Sequence, residues 1–85
     1  MRYVVKIRND NIWYYASEVV LFKVQELEQY EYNLSFFGLT EKNARKLMLK
    51  LMSMYKDTIN EIAVIKLSNY PPYVEYETVE YRNFN

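Results

Sequence analysis

Two acidic runs, Glu26, Glu28 and Glu31 in one and Glu75, Glu77 and Glu80 in the other, carry the spacing in this sequence best suited to chemistry. Side chains two apart on an extended strand share a face, so such carboxylates can form an acid–base pair or hold a hard cation through oxygen. A solvated strand face has the same spacing, and the rest of the chain offers the catalytic alternative no help. The sequence has no histidine and no cysteine, so the commonest general base, the thiol nucleophile and the usual transition-metal ligands are all missing. Its single glycine, Gly38, is too few for a loop that cradles phosphate. The expectation is a chain that is not an enzyme, with no catalytic residues, no cofactor and no metal site.

Binding is the remaining chemistry. Ten of the 85 residues are tyrosine, and Tyr70, Tyr73, Tyr76 and Tyr81 cluster near the C-terminus. Tyrosine brings a large contact area, few rotamers to freeze and a hydroxyl that tolerates water, which suits a protein interface. It also serves to cover a thin core in a small domain. A second candidate is the basic face formed by Lys42, Arg45, Lys46, Lys50 and Lys56 if residues 40–57 are helical. Such a face can meet nucleic acid or an acidic partner, and Leu49, stranded among these cations, reads either as an interface anchor or as an ordinary surface leucine. Trp13, Tyr14 and Tyr15 are available for stacking on bases. The total of eleven basic and eleven acidic residues argues against broad nucleic-acid binding.

These side chains need elements to position them. Thr40 to Asp57 has the clearest helical period: Ala44, Leu47, Met48, Leu51, Met52, Met54 and Tyr55 gather on one face, with Lys42, Lys46, Lys50 and Ser53 opposite. Thr40 is placed to cap the first turn and Glu41 to complement the helix dipole. A face this apolar needs a cover, and with little else that reads as helix, the cover should be a sheet.

Arg2 to Arg8 alternates as a half-buried strand, with Tyr3, Val5 and Ile7 on one side and Arg2, Val4, Lys6 and Arg8 on the other. Asn9-Asp10-Asn11 tolerates a tight turn, and Ile12 to Ala16 then returns as the second strand of a hairpin. Between Ser17 and Phe37 two strands joined near Leu27 fit best, although Ser17, Val20, Val24 and Leu27 also fit a short helix. Glu61 to Leu67 is nearly continuous in apolar residues, as a strand covered on both faces would be. Past Pro71-Pro72, Tyr73 to Arg82 suits an edge strand or an ordered tail.

Composition sets the frame. Eighty-five residues, 51% of them hydrophobic, make one domain spanning 1–85. The first residues lack the apolar run of a signal peptide, and no stretch reaches membrane-spanning length, so a cytoplasmic protein without membrane contact is expected. Phe, Tyr, Met, Ile, Asn and Lys, whose codons are rich in A and T, far outnumber Gly, Ala, Arg and Pro. In this the chain resembles the small accessory proteins of AT-rich bacteriophages. The resemblance is one of composition alone, and it implies a phage or mobile-element factor that inhibits a bacterial host protein.

The expected fold is α+β: an antiparallel sheet of four to six strands with one long amphipathic helix packed on one face, in the approximate order ββββαβ(β). The expected function is non-enzymatic binding of another protein, such as a host enzyme, through Tyr70, Tyr73, Tyr76, Tyr81 and Leu49. The alternatives are an RNA or nucleotide binder using the basic helix face, and a homo-oligomeric structural subunit that assembles through its tyrosine-rich C-terminal edge.

Overall fold

The computed structural model describes residues 2–17, 20–23, 39–69, 73 and 75–85. Strand β1 (Arg2–Asn9) turns back into β2 (Ile12–Ser17) through Asp10 and Asn11. Both turn residues hold positive φ, 50° and 64°. That is the conformation a two-residue hairpin turn demands, and Asp and Asn are the side-chain-bearing residues that accept it most readily. The turn fixes the pairing, with Asn9 opposite Ile12 and Lys6 opposite Tyr15.

The remaining elements are β3 (Val20–Lys23), helix α1 (Glu41–Met54), β4 (Ile59–Ser68) and β5 (Glu75–Asn83). The five strands form one sheet in the order β3-β2-β1-β4-β5, and every pairing is antiparallel. The architecture is α+β, as expected. The order along the described residues is βββαββ rather than ββββαβ(β). A fourth strand before the helix, expected around Tyr30 to Phe36, lies outside the described residues, as does the choice between strand and helix there. The C-terminal strand, expected as an edge strand or a tail, is a full nine residues long.

Helix α1 begins where the sequence signals it should. The Thr40 side chain accepts a hydrogen bond from the Asn43 backbone N–H at 3.2 Å, satisfying one of the donors a helix start leaves unpaired. Just before it, Leu39 and Tyr3 exchange two backbone hydrogen bonds, 2.9 and 3.0 Å, which moor the helix entry to β1. The far end corrects the expectation. The helix stops at Met54, because Tyr55 leaves the helical conformation and its carbonyl accepts from both Thr58 and Ile59, turning the chain directly into β4. Met54 therefore sits at the rim of the packed face and is 50% exposed, whereas Ala44, Leu47, Met48 and Leu51 are buried.

The helix covers one face of the sheet, where Val5, Ile7, Ala16, Ile62 and Val64 are buried against it and Tyr3, Tyr14 and Tyr55 pack alongside. Full burial of side chains of this size is worth roughly 1.5 to 3 kcal/mol each, which is what holds so short a helix in place. Strand β4 lies between β1 and β5 and is buried on both faces, as its apolar run implied. Its second face, with Ala63, Ile65 and Leu67, joins Val4 and Tyr15 in a smaller cluster.

Candidate protein-binding surfaces

Among the described residues β5 is an edge of the sheet, paired on one side only, with β4. Pairing sorts its side chains by face, because residues directly opposite each other on neighbouring strands lie on the same side. Tyr76 is opposite Leu67, Thr78 opposite Ile65 and Tyr81 opposite Ala63, all on the side away from the helix. Glu80 is opposite Val64, on the helix side, and Glu77 and Glu75 follow on that side opposite Lys66 and Ser68.

Tyr76 and Tyr81 are five apart, and on a regular strand residues at an odd separation point to opposite faces. A bulge removes the conflict. The register shifts between Val64 and Ile65, leaving Val79 as an extra residue on β5. Val79 packs toward the helix-side core next to Glu80. The strand thus gathers its tyrosines on one side and its acids on the other. Tyr76 is 54% and Tyr81 50% exposed, and Tyr73, just before the strand, is 79% exposed. The Tyr81 hydroxyl accepts a hydrogen bond from the Asn83 side chain at 3.1 Å, on the same face. Tyr70 lies outside the described residues.

The outer face of α1 is the second surface. Lys42, Lys46 and Lys50 are exposed there, as is Lys56 in the turn just beyond the helix, and Leu49 is 61% exposed. Arg45 is placed differently. It pairs with Glu41 one turn earlier, at 3.0 Å, and with Glu80 of β5, and Glu80 in turn receives Arg82. This chain of ion pairs straps the helix to the edge strand and engages the Arg45 charge within the fold.

A third grouping was only partly legible. Lys6 lies 4.7 Å from the Trp13 ring centre and 5.8 Å from that of Tyr15, while the Arg8 guanidinium is 5.9 Å from Trp13. Arg8 also binds Glu61 of β4 at 2.8 Å and the Asn11 side chain at 3.1 Å, locking the hairpin to the sheet. The signal for this grouping was the hairpin itself, since a two-residue turn at Asp10-Asn11 sets Lys6 against Tyr15 and Arg8 against Trp13. The three aromatics singled out for base stacking divide between faces. Tyr14 packs into the helix-side core, while Trp13 and Tyr15 lie on the opposite side of the sheet. The helix lysines and the Trp13–Tyr15 pair therefore face away from each other across the sheet.

Among the described residues no group of three or more acidic side chains is placed to hold a metal ion, and no helix is long and apolar enough to cross a membrane. Compared with protein-family models, with curated proteins and with solved structures, the chain matches none.

Proposed function

We propose that this protein is a non-enzymatic binding module that engages another protein through the tyrosine face and open edge of β5. One observation carries this reading: a bulge at Val79 brings Tyr76 and Tyr81, which a regular strand would separate, onto one exposed face of an edge strand. Exposed aromatic area beside a strand that is an edge among the described residues is a surface that gains by being covered, and edge strands are commonly covered by a strand from a partner. Leu49, exposed on the helix, would then belong to a separate or flanking contact. The AT-rich composition supports a bacteriophage accessory protein acting in the cytoplasm, with a host enzyme as the partner it inhibits.

The RNA-binding alternative rests on the three exposed lysines of α1, Lys42, Lys46 and Lys50, with Lys56 in the turn just beyond. It is weakened by the engagement of Arg45 with Glu41 and Glu80, and by the placement of Trp13 and Tyr15 on the other side of the sheet. Affinity capture from a low-GC bacterial lysate, with and without nuclease, separates the readings when run beside two variants. Under our reading a specific protein is retained after nuclease treatment and lost with the Tyr76→Ala, Tyr81→Ala double variant. Loss on nuclease treatment, or on replacing Lys42, Lys46 and Lys50 by Ala with the tyrosines immaterial, would favour nucleic acid and overturn it. A dimer that dissociates when the tyrosines are replaced would favour the structural subunit.

A further inference from the structure

Resting on that reading of β5 as a binding edge, we infer that its occupant is an extended segment of a different protein in which basic residues alternate with apolar or aromatic ones. The edge carries two different instructions on its two faces. On the side away from the helix it offers Tyr76, Thr78 and Tyr81, and on the helix side it offers Glu75, Glu77 and Glu80. A strand laid along β5 places alternate side chains against each of these rows. Those meeting the tyrosines gain by being apolar or aromatic, and those meeting the glutamates gain by being Lys or Arg.

The acidic row is not equally available along its length. Glu80 is already engaged by Arg45 and Arg82, and its side chain is only 22% exposed. Glu75 and Glu77 are exposed and have no ion pair among the described residues, so the half of the strand from Glu75 to Thr78 sets the charge preference. Arginine and lysine beside these two carboxylates would act more on partner choice and encounter rate than on raw affinity, leaving the tyrosines as the main source of binding energy.

A second copy of this chain suits the edge less well. The antiparallel register that sets Tyr76 against the second copy's Tyr81 also sets Glu77 against Glu80. Like charges directly opposite each other destabilise a strand pair. The same register offers Glu75 only Arg82, which is already bonded to Glu80 within its own chain.

The test uses the full-length protein and labelled nine-residue peptides, matching β5 in length, in fluorescence anisotropy. One peptide alternates Lys with Val, a second alternates Glu with Val, and a third has the Lys and Val content of the first arranged in two blocks. The alternating basic peptide should bind at least about tenfold more tightly than its block-arranged isomer, with the acidic peptide weakest. Glu75→Lys with Glu77→Lys should invert the order of the basic and acidic peptides, and Glu75→Gln with Glu77→Gln should level them. Equal binding of the alternating and block peptides, or an unchanged order in the charge-reversed protein, would overturn the inference. A wild-type dimer in sedimentation that Tyr76→Ala with Tyr81→Ala dissociates would show that a second copy occupies β5 and would also overturn it. If a cellular partner is lost with Tyr76→Ala and Tyr81→Ala but keeps its affinity for the charge-reversed protein, the binding edge stands and the alternating code falls.

Discussion

Strands β4 and β5 are hydrogen-bonded neighbours of nearly equal length, yet they are built for opposite surroundings. β4 places Ile62 and Val64 against the helix and Ala63, Ile65 and Leu67 on the other side, so both of its faces are buried. β5 places carboxylates over the helix-side rim and tyrosines on the opposite side, and most of it is exposed. The pairing supplies β5 with its backbone partners on one side, while its side chains add little to the core apart from Val79. The lesson is that in a sheet this small one strand can carry stability and its neighbour can be left to present a surface. Apolar side chains sit where burial rewards them. Tyrosine, which tolerates water, sits where burial awaits a partner.

The contrast can be broken most sharply at the core. Replacing Leu51, Leu47 or Ile62 by Ala should cost about 2 to 5 kcal/mol and leave much of the protein unfolded. A shift below about 0.5 kcal/mol in urea melts would show that the helix and β4 do not share the core described. Next in size is the helix start: Thr40→Ala removes the oxygen that accepts from Asn43 and should cost about 1 kcal/mol, read in the same melts.

The strap between helix and edge is smaller again. Arg45 is 40% exposed at its side chain, so Arg45→Ala should cost no more than about 1 kcal/mol, with the loss reduced by added salt. A larger, salt-independent loss would mean that the edge strand depends on this contact more than the comparison allows. On the outer helix face, replacing Lys42, Lys46 and Lys50 by Ala should leave stability nearly unchanged and alter mainly the rate and salt dependence of partner association.

Much of this arrangement is readable in the sequence where one physical signal dominates. The apolar period of residues 44–55 marks the helix, Thr40 marks its start, Asp10-Asn11 marks the hairpin, and the run from Ile62 to Leu67 marks a strand with two buried faces. Each of these follows from local preferences that agree with the tertiary packing. What escapes is set by partners distant in sequence. Val4 stands between cations and reads as solvent-facing, and only the pairing of β1 with β4 shows that it meets Ile65 in an apolar cluster. Met54 fits the helical period but falls at the turn where the chain leaves for β4. The bulge at Val79 has no glycine to announce it, so the alternation of residues 73–82 reads as a mixture of faces until the register with β4 resolves it. Of the candidate site, the tyrosines and the helix lysines were visible as types. Their separation onto different surfaces was not.

The most direct measurement of the central claim pairs stability with binding in the Tyr76→Ala, Tyr81→Ala double variant. Both side chains are about half exposed on the face of β5 away from the helix, so their removal should shift a urea melt by less than about 1 kcal/mol. The same variant should weaken capture of the wild-type protein's partner by at least about tenfold, as expected when aromatic anchors carry the interface. A strongly destabilised variant, or a folded one that captures the partner as well as wild type, would contradict the division of labour between β4 and β5.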